Sequence, residues 1–140
     1  MKPHTILKIV AVVLGIIAIV LIGVLLFVNP AKSPTVPFEV DLPHANDRIV
    51  SPVAIEGSVT GGGWFFEASF PIKIVDANGN VLGQGTAQAL SDWTSTGTVP
   101  FSASISFTAP STTNGKILFM NDDPSAIPQN AKSLSVPVQF

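Results

Sequence analysis

Cysteine is absent from this 140-residue chain, and that gap alone removes several kinds of chemistry. There can be no disulfide, no thiol nucleophile, no Cys-ligated zinc or iron–sulfur centre, and no lipid-modified cysteine anchor. Charge is scarce as well: 11% of the residues are Asp, Glu, Lys or Arg, against about 25% in an ordinary soluble domain. Histidine occurs only as His4 and His44. Neither a G-x-S-x-G elbow nor an H-E-x-x-H signature is present. With no nucleophile–base pair in view, the chain is expected not to be an enzyme. Two carboxylates could still meet across strands as a glycosidase pair, since sequence order does not say which of them become neighbours. No cofactor and no bound metal are expected.

The little charge there is falls unevenly. All nine carboxylates lie from Glu39 onward, opposed there only by Arg48, Lys73, Lys116 and Lys132, so residues 38–140 are net −5 while residues 1–37 are net +3. An acidic domain is the wrong surface for nucleic acid, whose phosphates need a basic face. It also matches anionic lipid poorly.

Hydrophobicity, by contrast, is concentrated. From Ile9 to Val28 there are twenty residues without a charge, a polar side chain or a proline, and sixteen of them are Val, Ile, Leu or Phe. At 1.5 Å per residue such a helix is roughly 30 Å long, the thickness of a bilayer core. Insertion is favoured by roughly 5–10 kcal/mol on the insertion scale. The run exceeds the apolar core of a cleaved signal peptide, and its exit, Val28-Asn29-Pro30-Ala31-Lys32, lacks an A-x-A-like site. The reading is an uncleaved transmembrane helix over 9–28. Lys2 and Lys8 precede it and Lys32 alone follows. By the positive-inside rule, residues 1–8 are a short cytoplasmic segment and the rest lies outside, giving a single-pass cell-membrane protein. Gly15 and Gly23 are too far apart for a GxxxG dimer motif, and no ionisable group suggests a pore or relay. Residues 29–37 carry three prolines and read as a stiff, extended spacer.

From Phe38 the hydrophobic period becomes two. Val53, Ile55, Gly57 and Val59 alternate with Ala54, Glu56, Ser58 and Thr60; Phe66, Ala68, Phe70, Ile72 and Ile74 alternate with Glu67, Ser69, Pro71 and Lys73. The same pattern runs through Phe101–Thr108 and Leu134–Phe140, and more weakly through 38–42, 81–90 and 116–120. Each reads as a strand with one apolar face. Asn78-Gly79 supplies positive φ for a hairpin between two of them. Pro71 and Pro137 each delete a ladder donor and belong on edges or bulges. About seven short strands in roughly 100 residues predict an all-β, immunoglobulin-like antiparallel sandwich over 38–140, with a small barrel as the alternative.

The order and spacing of Leu42-Pro43, Val50-Ser51-Pro52, Ile55-Glu56-Gly57, Phe66-Glu67-Ala68-Ser69-Phe70, Asp76 with Asn78-Gly79, Asp92-Trp93, Val99-Pro100-Phe101, Phe107, and Asn121 with Pro124-Ser125 resemble the immunoglobulin-like domain associated with bacterial spore-germination proteins. The resemblance implies a non-enzymatic module of a cell-envelope protein; it does not imply a role in germination. Where the family pattern tends towards Asn-Pro-Ser-Gly, this chain has Asp123-Pro124-Ser125-Ala126.

Several motifs carry a functional and a structural reading. Asp76-Ala77-Asn78-Gly79-Asn80 copies half of a calcium loop, but Val81 and Ala87 stand where Gly and Glu are needed, which favours a plain hairpin turn. Thr60-Gly61-Gly62-Gly63-Trp64 lacks the lysine of a phosphate loop and reads as an inter-strand connection. Trp64, Phe65 and Trp93 are candidate contacts for a sugar or a protein partner; packing on the core is the favoured reading of both tryptophans, and Trp64, beside the glycines, is the better exposed candidate of the two. Asp122 and Asp123 are candidate contacts too, with Asp before Pro as a turn starter the competing reading.

The expectation for function is a membrane-anchored binding or adaptor module. Its partner would be an envelope protein or a cell-wall polymer, not nucleic acid. The alternative is a structural accessory subunit held in a membrane complex through its helix.

Overall fold

The computed structural model of the chain describes residues 3, 37–61 and 63–140. The expected helix over 9–28, and the flanking segments 1–8 and 29–37 apart from Pro3 and Pro37, lie outside the described residues. Among the described residues no helix is long and apolar enough to cross a membrane.

Seven strands form between Phe38 and Gln139: β1 Phe38–Leu42, β2 Val53–Thr60, β3 Ser69–Asp76, β4 Val81–Ala89, β5 Thr98–Ile105, β6 Asn114–Met120 and β7 Ser133–Gln139. All pair antiparallel, in the spatial order β1-β2-β5-β4-β3-β6-β7. The seam between β5 and β4 holds only Gln88↔Ser102 and Ala89↔Phe101. The sheet therefore curls there into a three-stranded half and a four-stranded half that face each other. β4 stays with β3 along most of its length, unlike the constant-type arrangement in which the fourth strand completes the other sheet.

The period-two pattern decides which side chains fill the space between the halves. In β2, Val53, Ile55 and Val59 are buried while Ala54 and Glu56 face water. Rings carry the packing across the gap. Phe38 of β1 lies 5.3 Å from Phe119 of β6, and Phe70 of β3 lies 5.0 Å from Phe101 of β5 in a T-shaped contact. Each such fully buried side chain contributes about 1.5–3 kcal/mol.

β3 departs from its sequence pattern. The strand begins at Ser69, and Phe66 and Ala68 are not part of its apolar face. The chain turns instead at Glu67 (φ +48°) and Ala68 (φ +64°), with Phe66 and Ser69 exchanging backbone hydrogen bonds of 2.9 and 3.1 Å. Two left-handed residues in succession make a two-residue hairpin of the I′ kind, and the buried ring is Phe65, not Phe66. β5 likewise stops at Ile105, because the Phe107 amide leaves the ladder to donate to Ser51 Oγ at 2.9 Å.

Both prolines sit where the missing donor does little harm. Pro137 is in β7, whose outer edge is covered by Asn46–Ile49 through bonds from Asn46 N to Pro137 O and from Ile49 N to Gln139 O. Pro71 is in a central strand, but β3 joins β6 only from Ile72 onward, so at Pro71 its sole ladder partner is β4.

Strand directions gather the connections at two ends. Residues 61–68, 90–97 and 121–132 lie at one end, together with the start of β1; residues 43–52, 77–80 and 106–113 lie at the other.

Candidate functional site

At the first of these ends the β2–β3 and β6–β7 connections enclose an open concavity of about 410 Å³. Its walls include Phe65, Phe66, Asp122, Asp123, Asn130 and Lys132. β2 and β6, in the two facing halves, deliver the two connections to the same end, and Asn121, the residue after β6, joins them. Its Nδ2 donates to Gly63 O at 3.3 Å and to Asn130 O at 3.0 Å, while its Oδ1 accepts from the Lys132 amide at 2.6 Å. The Asp122 amide adds a bond of 3.0 Å to Trp64 O. One side chain thus ties together segments separated by 58 residues.

Glycine is required at position 63. Its φ is +93°, and a Cβ there would lie 2.9 Å from Lys132 Nζ. The lysine ammonium rests over this bare backbone at the rim. Among the described residues, neither the Lys132 ammonium nor the Asp122 carboxylate takes part in an ion pair. Phe65 is buried against Phe70, with ring centroids 5.2 Å apart, and forms the floor; Phe66 is 38% exposed.

Of the residues singled out from sequence, the fold brings Phe65, Asp122 and Asp123 into this concavity and sends the tryptophans elsewhere. Trp64 is not exposed: it is 8% accessible, with its ring 4.4 Å from Phe38. Gly63, at φ +93°, immediately precedes Trp64, whose indole turns into the core. Trp64 serves the site only through its carbonyl. Trp93 lies half-buried against the core in the 90–97 connection.

The loop aspartates are occupied with their own turns. Asp123 accepts from Ser125 Oγ at 2.8 Å and from the Ser125 amide at 3.0 Å. The Ser125 hydroxyl, foremost, holds this carboxyl below the usual carboxylate range. Asp92 is held low in the same way by the Thr94 hydroxyl at 2.7 Å. Asp76, at 2% exposure, receives Asn78 N, Asn80 N, Asn80 Nδ2 and Ser111 Oγ, all within 3.0 Å. The Asn80 side chain is the largest of the effects lowering its pKa, and Gly79 takes the expected positive φ of +85°. That loop is a hairpin turn, braced from the 106–113 connection by Ser111 and by Thr112, whose Oγ1 accepts from the Ala77 amide at 3.2 Å. Among the described residues no third carboxylate or histidine joins Asp122 and Asp123 in a cation cluster. His44 lies at the opposite end in an exposed contact with Asp47, Nδ1 to Oδ2 3.3 Å.

Sequence reasoning did not single out Gly63, Phe66, Asn121, Asn130 or Lys132 as site residues. Asn121 was within reach, because Asn121 with Pro124-Ser125 belongs to the family-like pattern. Lys132 carries no local signal.

A family sequence model described as the immunoglobulin-like domain of bacterial spore germination matches residues 38–126. That span runs from the first residue of β1 into the loop after β6. It takes in Phe65, Asn121, Asp122 and Asp123 and stops short of Lys132. No curated protein and no solved structure matches the chain.

Proposed function

We propose, from the premise that the chain belongs to the immunoglobulin-like domains of bacterial spore germination, that it is a non-enzymatic binding or adaptor module of the cell envelope and that it grips its partner with the 61–68 and 121–132 connections. The supporting observation is the Asn121 clamp, which sets two connections around a preformed concavity. Recognition residues are typically carried on loops held by a rigid scaffold, and a preordered loop loses less entropy on binding. The non-enzymatic reading is supported by the loop carboxylates of Asp76, Asp92 and Asp123, which are spent on structural hydrogen bonds, those of Asp92 and Asp123 within their own turns and those of Asp76 to its turn and to Ser111. The single-pass anchor over 9–28, with the domain outside the cytoplasm, rests on the hydropathy and flanking charges of the sequence.

The test uses a soluble fragment. Val36–Phe140 is a compact unit with its own apolar core, so it is expected to fold without the N-terminal segment. The fragment is incubated with isolated wall sacculi and, separately, with detergent-solubilised envelope extract. Saturable retention on one of them is the expected result. Absence of retention on both would defeat the proposal.

A further inference from the structure

We infer that the concavity takes a neutral, hydroxyl-rich oligosaccharide; this rests on the binding-module reading above and specifies its ligand. The lining argues for it group by group. A hexose presents hydroxyls that each donate and accept, together with a face of C–H groups. The rim offers a carboxylate acceptor at Asp122, an ammonium donor at Lys132 and amides at Gln129 and Asn130 that do both. Phe66, 38% exposed, supplies an aromatic surface for the C–H face.

The charge balance sets the sign of the ligand. Asp122 and Lys132 have opposite charges and do not pair with each other: no contact between them comes within the 4.0 Å that defines an ion pair among the described residues. Both are therefore available to a ligand. Asp123 keeps its negative charge, since its partner Ser125 is neutral, so the lining is net −1 and selects against an anionic ligand; with its oxygens already serving Ser125, hydrogen bonding to the ligand falls to Asp122. Volume points the same way. About 410 Å³ falls within the range of small-ligand pockets, and its walls mix aromatic surface with a few placed polar groups. A protein partner would instead call for a wide apolar patch. Of the exposed large apolar residues, Leu42, Val50 and Val81 lie away from the concavity, Leu90 and Ile127 lie at the same end outside its lining, and Phe66 alone lines it.

The experiment takes the full chain, isotopically labelled in detergent micelles. It is titrated with the N-acetylglucosamine tetramer and with cellotetraose, and separately with a basic peptide of similar size. The expected result is saturable shifting of the amide signals of residues 63–66 and 121–132 by at least one oligosaccharide. Asp122→Asn and Lys132→Gln should each weaken that binding about tenfold, the scale of losing a hydrogen bond to a charged group, while the rest of the spectrum stays unchanged. Competition of the bound tetramer by sacculi, or by vesicles bearing a glycolipid, then identifies which source of the sugar is used. Shifts with the peptide alone would overturn the sugar assignment and leave the binding-module reading standing. Silence with all three probes would overturn it as well, and retention of the fragment on envelope material would then decide the broader reading separately. Shifts that survive both substitutions unweakened would place the ligand elsewhere and equally overturn the assignment.

Discussion

Replacing Ala68 by glycine should stabilise the domain, although alanine-to-glycine changes in folded proteins usually do the reverse. The reason is its φ of +64°, at the second central residue of the two-residue turn before β3. A left-handed L-residue costs about 1–2 kcal/mol, because Cβ crowds the following carbonyl. Glycine removes that cost but gives back about 0.4–1 kcal/mol through the larger freedom of its unfolded chain. The net gain is therefore about 0–1.6 kcal/mol, and its midpoint of about 0.8 kcal/mol is a rise in melting temperature of roughly 3–6 °C for a domain of this size. Ala87→Gly is the matched control. Ala87 is fully buried in β4, so losing its methyl group and strand rigidity should cost about 1–2 kcal/mol. Thermal unfolding of fragment 36–140, followed by circular dichroism, reads both. If Ala68→Gly lowers the melting temperature as Ala87→Gly does, the turn is not left-handed at Ala68 and the strain argument fails. Ala126, at φ +53° where the family pattern has glycine, should respond like Ala68. The two strained sites flank the concavity, and strained backbone is typically retained near functional surfaces.

Further outcomes follow from the same geometry. Asn121→Ala removes three hydrogen bonds and should cost about 1–3 kcal/mol, with faster amide exchange at residues 63–66 and 130–132 as its local signature. Phe119→Ala, at a fully buried ring packed on Phe38 and Phe101, should cost about 3–5 kcal/mol in a urea titration. Asp76, Asp92 and Asp123 all have lowered pKa values in the folded state. Their stabilising effect is thus complete above the unfolded carboxylate pKa of about 3.9 and is lost as pH falls through the lower folded values. The urea midpoint should drop below about pH 4, and Asp76→Asn should flatten that drop while lowering the midpoint at neutral pH.

Much of the scaffold was legible in the residues. β1 spans the stretch its alternation marks, β2 and β7 bury the alternate residues their patterns select, and Asn78-Gly79 turns where its chemistry dictates. The start of β3 was not legible. Glu67 and Ala68 have no preference for positive φ, so an apolar alternation ran unbroken through a turn that tertiary packing enforces. Trp64 follows the favoured core reading, with Phe38, distant in sequence, packed against it. The concavity was the least legible feature. It depends on Asn121 reaching back to Gly63 and forward to Asn130 and Lys132, and no local pattern encodes contacts over that separation. Phe65, Asp122 and Asp123 could be picked out because aromatic rings and adjacent carboxylates are side chains that commonly contact a partner, while Lys132 looked like any other surface cation.

The central claim is that the 61–68 and 121–132 end of the sandwich is the binding face. It is tested most directly by comparing two variants of fragment 36–140 for retention on envelope material. One is Asp122→Asn combined with Lys132→Gln at the concavity; the other is Arg48→Gln at the opposite end, where the side chain is exposed. Loss of retention in the first and wild-type retention in the second is the predicted result. Equal retention by both, or loss only in the Arg48 variant, would contradict the account.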